Sequence, residues 1–284
     1  MYLYWVRSAN RTRSLLIMQL AWLTDIHLNF VGRTEVNSLC DDIRTSGAAA
    51  VLITGDIASA LYLTRYLDNF ASSLQMPVYF VLGNHDYYGS SIREINDAVG
   101  KLISEMPQLI WLSACLACIP ITDNTCLVGH EGLADGRLGD PEGSEVMIND
   151  YYQITELMQP SKRARLEVQH QLGDDAAAHL RSQLKQAIDA SYRKILVALH
   201  VPPFPEACWH MGEKSTDEFL PHFGCQATGE VLREFALTYS LADFTVYCGH
   251  THSSGVAEIL PNLRVFTGRA KYGRPQIERL FTVE

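Results

Sequence analysis

The tetrapeptide Gly83-Asn84-His85-Asp86 places several chemically capable side chains directly after an apolar run, Val78 to Leu82. The run is short, β-branched and aromatic, which predicts a buried strand ending at these four residues. Asn84 offers a neutral oxygen ligand, His85 a base that titrates near neutrality, and Asp86 a carboxylate able to orient a histidine. Taken alone, the tetrapeptide is more typical of an ordinary strand-to-helix turn with an Asn or Asp cap.

Four other predicted strands end in the same kind of side chain. Those ends carry Asp25 and His27, then Asp56, then His200, then His250 and His252. Because ligands bind at the carboxyl ends of strands in an open α/β sheet, we expect these residues and Asn84 to converge. The seven oxygen and nitrogen ligands suit two adjacent metal ions, Mn, Fe or Zn in the first place and Mg or Ni as alternatives, provided that one carboxylate is shared. A single histidine at a strand end would more often be structural.

The elements that must position these ligands alternate between strands and helices. Strands are predicted at 20–23, 48–54, 78–82, 109–112, 126–128, 194–199, 244–248, 256–259, 263–267 and 277–283. Helices are predicted at 33–44, 61–74, 91–106, 174–188 and 229–239. Several strands are apolar on consecutive residues, which indicates sheets covered on both faces. The pattern predicts an α/β fold in one domain over 18–284, preceded by an N-terminal extension over 1–17.

Composition and charge exclude several classes of protein. With 47% hydrophobic and 19% charged residues the chain is globular, and its 32 acidic and 23 basic residues leave a formal charge of −9. Nucleic acid is therefore disfavoured as a partner. No apolar run reaches the roughly 18 residues that a membrane span needs. Seven cysteines without a disulfide-framework spacing favour a reducing cytoplasm. Oligomeric state stays open.

Two predicted loops could shape the mouth of the site. The segment 129–150 is rich in Gly, Asp and Glu, and Arg137 within it could meet a phosphate, although a solvated arginine is the more ordinary interpretation. In the segment 201–225, Trp209 could stack on a base or line an acyl pocket, or simply pack at the rim. That segment also holds Cys208, His210, His222 and Cys225. Their spacing matches no zinc motif, so a lid or rim loop is the preferred interpretation.

Taken as a set, these motifs resemble the calcineurin-like metallophosphoesterases. The family pattern is Asp-x-His, Gly-Asp, Gly-Asn-His-Asp/Glu, a lone His and Gly-His-x-His, and this sequence has all five in that order between residues 19 and 268. The resemblance implies a four-layer αββα sandwich of two mixed β-sheets flanked by helices. The ligand sets that it implies are Asp25, His27 and His252 for one ion, Asn84, His200 and His250 for the other, and Asp56 as the bridge.

The resemblance also implies a reaction. A metal-bridging hydroxide would attack phosphorus in line, while His85 protonates the leaving oxygen or stabilises charge and Asp86 orients His85. A phosphodiesterase acting on a small-molecule phosphate ester is favoured, with a phosphomonoesterase or protein phosphatase as the alternative. A non-catalytic scaffold of the same fold is disfavoured because His85 and all seven ligands are present. One departure from the family pattern, Ile57-Ala58-Ser59 after Gly55-Asp56, puts only the loop shape in doubt.

Overall fold

The computed structural model describes residues 17–284. The predicted N-terminal extension, apart from Ile17, lies outside these residues. The strands are β1 (Met18–Leu23), β2 (Ala50–Thr54), β3 (Val78–Val81), β4 (Leu109–Trp111), β5 (Ile119–Pro120), β6 (Thr125–His130), β7 (Lys194–Leu199), β8 (Trp209–His210), β9 (Glu213–Lys214), β10 (Asp243–Cys248), β11 (Gly255–Leu260), β12 (Leu263–Thr267) and β13 (Arg279–Val283). The helices are α1 (Arg33–Thr45), α2 (Ala60–Leu74), α3 (Ile92–Glu105), α4 (Asp150–Gln153), α5 (Lys162–Asp189), α6 (Leu220–Phe223) and α7 (Gln226–Thr238).

The fold is built on two mixed β-sheets. The first has the order β13-β1-β2-β3-β4, with β1 to β4 parallel and β13 antiparallel at the edge. The second has the order β11-β12-β10-β7-β6-β5, with four parallel central strands and antiparallel strands at both edges. The parallel strands of each sheet therefore present their carboxyl ends at one edge, which is where the predicted ligands follow.

Alternate residues of each strand face different cores. Along β1, Leu20 and Trp22 pack between the sheets, against residues such as Leu127 and Tyr247 of the second sheet. Ala21 and Leu23 face the opposite way, in the cluster that contains the buried sides of α1, α2 and α3. On the other side of the molecule, α5 and α7 cover the second sheet. The result is the αββα sandwich, and two-sided burial explains the unbroken apolar runs.

The largest difference from the predicted elements is the start of α5. The apolar pattern predicts a helix from residue 174, whereas α5 begins at Lys162 with Ser161 as its cap. Its first turns bury polar side chains: Arg165 lies over the Tyr151 ring at 3.8 Å, and Gln169 donates to the Ala134 carbonyl. Because this face packs against a loop with polar contacts, the first half of the helix lacks the hydrophobic periodicity that predicts helices.

Within residues 17–284, no helix has the length and apolarity needed to cross a bilayer.

Candidate metal centre

The backbone at the strand ends adopts an unusual conformation. Eight non-glycine residues of the described chain have positive φ, and five of them are predicted metal ligands. These five are Asp25 (48°), His27 (41°), Asp56 (53°), His250 (68°) and His252 (60°). Such conformations cost of order 1–3 kcal/mol each and persist only where the surroundings impose them. The sheet edges thus hold these ligands in orientations that a relaxed loop would not adopt.

Two glycines of the motifs are required by close packing. Gly55 has φ of 88°, and a side chain there would collide with the ring of His200. A side chain at Gly249 would collide with the carboxylate of Asp25 and the hydroxyl of Thr24. The glycines therefore let strand ends from the two sheets approach each other across the site.

One group of ligand atoms lies at the ends of β1, β2 and β10. Asp25, His27, Asp56 and His252 each offer an atom within 4.8 Å of the others. The Nε2 atoms of His27 and His252 are 3.2 Å apart, His252 Nε2 is 3.4 Å from Asp25 Oδ1, and His27 Nε2 is 3.7 Å from Asp56 Oδ2. We call these four residues the first group.

A second group shares Asp56 with the first. Asn84 Oδ1 lies 2.8 Å from His200 Nε2 and 3.0 Å from His250 Nδ1, and His200 Nε2 is 3.4 Å from Asp56 Oδ1. We call Asn84, His200, His250 and Asp56 the second group. One carboxylate oxygen of Asp56 faces each group, which is the arrangement that a bridging ligand requires.

Backbone carbonyls determine which ring nitrogens of the second group carry hydrogen. His200 Nδ1 is 2.9 Å from the Thr54 carbonyl oxygen, and His250 Nε2 is 3.0 Å from that of His222. A carbonyl only accepts, so each of these nitrogens is a donor and the other ring nitrogen holds a lone pair. Both lone pairs, on His200 Nε2 and His250 Nδ1, face the interior of the site.

The amide of Asn84 is oriented in the same sense. Its Nδ2 donates to Asp150 Oδ1 at 2.7 Å, and Tyr88 donates its hydroxyl to the same oxygen at 2.5 Å. Asn84 Oδ1 therefore points at the lone pairs of His200 and His250. Three acceptors without a hydrogen between them repel one another unless a cation lies among them, so this donor set fits a metal ion.

Burial favours the neutral, metal-binding form of three of the four predicted histidine ligands. It lowers the pKa of His27 to about 3 and that of His250 to about 4, and it also lowers the pKa of His200. At His252 burial acts in the same direction, but the hydrogen bond and the charge of Asp25 outweigh it and the pKa is raised. The carboxylate of Asp56 has a raised pKa because it is buried and because the charges of Asp25 and Asp86 lie near it. A bound cation would relieve this excess of negative charge.

His85 lies beside the ligands without belonging to either group. Its ring stacks on Tyr88 with the centroids 4.2 Å apart, and its Nε2 is 3.9 Å from Asp56 Oδ2. The side chain is 16% exposed, so a bound molecule could reach it. Burial, followed by the neighbouring His27, lowers the pKa of His85 to about 2. A neutral imidazole at this place can donate one N–H to an incoming oxygen.

The sequence profile of calcineurin-like phosphoesterases matches residues 18–254, and those residues contain all seven ligands and His85. The chain belongs to the calcineurin-like phosphoesterase family. A search of curated proteins found no match.

Solved structures with the same fold are distant in sequence. The phosphopantetheinyl hydrolase of Mycobacterium tuberculosis is 16% identical, with a TM-score of 0.68 over 93% of this chain and 95% of its own. A dimetal phosphatase from Danio rerio is 14% identical, with a TM-score of 0.56 over 92% of this chain and 88% of its own. At these identities the likeness extends to the fold alone.

Asp86 plays a different part in this calcineurin-like phosphoesterase from the one expected of it. The resemblance implied that it orients His85, but both of its oxygens accept backbone N–H groups instead. Ile57 and Ala58 donate to Oδ1 at 2.9 and 2.8 Å, and Gly83 donates to Oδ2 at 2.8 Å. Asp86 is fully buried and fastens the loop after β2 to the loop after β3. The backbone N–H of His85 binds Asp56 Oδ1 at 2.9 Å, which fixes the main chain at the catalytic candidate.

The two residues predicted to contact substrate, Arg137 and Trp209, make contacts with other parts of the protein. The guanidinium of Arg137 is bound to Asp135 at 3.1 Å and to Asp174 of α5 at 2.7 Å, so it fastens the loop to the helix. Trp209 begins the β8–β9 hairpin and packs against Gly255. The Lys214 ammonium lies over its ring, 3.4 Å from the centroid. These contacts give both residues a structural role. The phosphate contact of Arg137 and the stacking role of Trp209 stay predictions.

The zinc alternative for the 201–225 segment finds no support in the described chain. His222 binds Ser144 at 2.9 Å through Nε2 and the Tyr151 hydroxyl through Nδ1, so both ring nitrogens have protein partners. Among residues 17–284, the first group is the only one in which three or more His, Cys, Asp or Glu side chains bring ligand atoms within 4.8 Å of one another, while the second group includes the amide oxygen of Asn84.

Sequence reasoning missed Asp150 and Tyr272. Asp150, at the start of α4, orients Asn84, while Tyr272 covers the first group with its ring 4.5 Å from that of His27. No local pattern marks either position, because each depends on the path of a long loop. A run of Arg, Lys, Tyr and Arg between 269 and 274 was the one readable signal near Tyr272.

Proposed function

We propose that this protein is a binuclear metal-dependent phosphohydrolase. The observation that carries the proposal is Asp56, whose two carboxylate oxygens each face one set of ligand atoms. Membership of the calcineurin-like phosphoesterase family supports the same reaction class. The names of the two structural neighbours, a hydrolase and a dimetal phosphatase, agree with it.

The predicted ligands would divide between the two metal ions. Asp25, His27 and His252 would hold one ion, Asn84, His200 and His250 the other, with Asp56 between them. Two bound ions supply an activated water at neutral pH and neutralise the phosphoryl oxygens. His85 would donate its ring N–H to the leaving oxygen or to a phosphoryl oxygen, since it lies beside Asp56 and is reached from solvent. Manganese, iron or zinc suits this mixed nitrogen and oxygen set.

We further propose a small-molecule phosphodiester as the substrate and the reducing cytoplasm as the compartment. The aromatic rings of Tyr88 and Tyr272 beside the centre suit an organic ester group, which a diester presents on both sides of phosphorus. All seven cysteines are free, which supports the compartment. A phosphomonoesterase is the second candidate, since nothing in the ligand groups themselves selects the diester.

The test compares bis-p-nitrophenyl phosphate with p-nitrophenyl phosphate on metal-stripped protein refilled with Mn, Ni, Zn or Mg. We expect faster cleavage of the diester, and at least a 100-fold loss of turnover in Asp56→Asn. Asp97→Asn, an exposed substitution of the same kind on α3, is the matched control and should leave turnover unchanged. Preference for the monoester would make the protein a phosphatase. Absence of turnover with every metal would favour the non-catalytic scaffold.

A further inference from the structure

A short basic segment lies at the rim of the metal centre. Residues 269–274, which follow β12, include Arg269, Lys271 and Arg274, three cations in six residues of a chain whose formal charge is −9. We call this segment the Tyr272 loop. The sign of its local charge is opposite to that of the protein's net charge.

Backbone contacts anchor the Tyr272 loop to the centre. The Ala270 N–H donates to the His252 carbonyl at 3.2 Å, and the Arg274 N–H donates to that of Lys271 at 3.0 Å. The second bond closes a turn that has Tyr272 and Gly273 at its tip, with Gly273 at φ of 76°. Lys271 and Arg274 therefore stand on either side of Tyr272.

The tip of the turn packs against two predicted metal ligands, His27 and His252. The ring of Tyr272 is 4.5 Å from that of His27 and 5.3 Å from that of His252, measured between centroids. Phe30 lies 4.9 Å away on the same rim, and both rings keep an exposed face. A molecule with its phosphorus at the ligand groups would therefore lie beside these rings.

Two of the three cations have no ion-pair partner among residues 17–284. Arg269 is paired with Glu278 at 3.3 Å, but in the described part of the chain Lys271 and Arg274 make no ion pair and no side-chain hydrogen bond, and both are exposed. Exposed cations are ordinary in isolation. Here two of them flank, in the sequence, an aromatic ring that lies against two residues of the first group.

We propose that the Tyr272 loop binds a second phosphate group of the substrate, one that is separate from the ester undergoing cleavage. Lys271 and Arg274 would contact this remote phosphate by charge-assisted hydrogen bonds, while Tyr272 and Phe30 contact the organic part that joins the two phosphates. The proposal rests on the proposed phosphohydrolase function and narrows its substrate class to a phosphoester bearing a further phosphate.

The first test measures binding without turnover. Calorimetry on the Mn-loaded protein would compare thymidine 3′,5′-bisphosphate with thymidine 5′-monophosphate, two probes that differ by one remote phosphate. We expect the bisphosphate to bind roughly threefold tighter or more, as for one or two exposed charge pairs. That advantage should vanish in the double variant Lys271→Gln/Arg274→Gln and at 0.5 M salt. Lys101→Gln, an exposed cation on α3, is the control that should keep it.

The second test measures the reaction with the p-nitrophenyl 5′-esters of the same two probes. The ratio of kcat/KM for the 3′-phosphorylated ester to that for the plain ester should exceed 1 and fall to about 1 in the double variant. Equal binding of the two probes by the wild type, or an advantage that survives the double substitution, overturns the loop proposal even if both esters are cleaved. Preferential binding without cleavage of either ester upholds the loop proposal and overturns the proposed phosphodiesterase activity.

Discussion

The two ligand groups of the centre differ in how firmly the protein holds them. In the second group, His200 is fully buried, and the rings of His200 and His250 are fixed by the carbonyls of Thr54 and His222. In the first group, the side chain of His252 is 26% exposed, and His27 Nδ1 has no hydrogen-bond partner in the described chain. The second group is therefore prearranged for its ion by backbone hydrogen bonds, whereas the first lacks such bonds to its two rings among the described residues and includes the half-buried His252 beneath Tyr272.

Removing a histidine from the second group should have the largest effect. His200→Ala takes away a buried ring, leaves the Thr54 carbonyl unpaired and opens a cavity, so we expect about 2–4 kcal/mol lower stability and at least 100-fold lower turnover. Chemical denaturation and steady-state kinetics would measure both. His252→Ala, in the first group, should match the loss of turnover but cost about 1 kcal/mol or less in stability. Equal destabilisation by the two variants would contradict the difference between the groups.

The next effect concerns the orientation of Asn84. Asp150→Ala removes the acceptor that binds Asn84 Nδ2 and the Tyr88 hydroxyl, and we expect metal affinity or turnover to fall about 10- to 100-fold, as for other residues that orient ligands. Metal titration followed by kinetics would show it. Asn149→Ala, the exposed neighbour, should behave as the wild type. A wild-type metal affinity in Asp150→Ala would show that Asn84 is oriented without this bond.

The two ions should also leave at different rates. On dilution into a chelator, we expect one equivalent of metal to be lost quickly and the second more slowly, because the first group is reached from solvent. Metal analysis of samples taken over time would resolve two phases. Loss of both equivalents in a single phase would show that the shared carboxylate of Asp56 makes release cooperative.

The smallest effect is expected at the cover of the first group. Tyr272 is 47% exposed, so Tyr272→Ala should lower stability by less than about 1 kcal/mol while speeding the fast phase of metal loss a few-fold. The slow phase should stay unchanged, because Tyr272 contacts His27 and His252 of the first group. The exposed aromatic residue Tyr152 provides a control, as Tyr152→Ala should alter neither phase.

The features of this protein that could be predicted from the sequence are those that depend on short, local stretches of chain. Each ligand follows its strand within a few residues, and both faces of the strands are buried, so the fold class and the convergence of Asp25, Asp56 and His200 follow from local patterns. The start of α5 was missed because Arg165 and Gln169 bury polar groups there. Asp150 was missed because its contact with Asn84 spans 66 positions of sequence, which no periodicity records.

The role of Asp86 shows a different kind of limit. Its motif position suggested a partner for His85, yet its burial among three backbone N–H groups decides its actual contacts. A side chain that could serve either purpose is assigned only when the neighbouring loop is known. The departure at Ile57-Ala58 is part of that loop, and the amides of these two residues are the ones that Asp86 binds.

The carboxylate of Asp86 also has a consequence for motion. Since it joins the amides of Ile57 and Ala58 to that of Gly83, the segments bearing Asp56 and His85 should move together as one rigid body. Ions of different radius would then shift Asp56 and His85 in concert, preserving their separation. Such coupling would let the centre exchange one metal for another while His85 stays aligned, and slow hydrogen exchange at the Ile57 and Ala58 amides would be its signature.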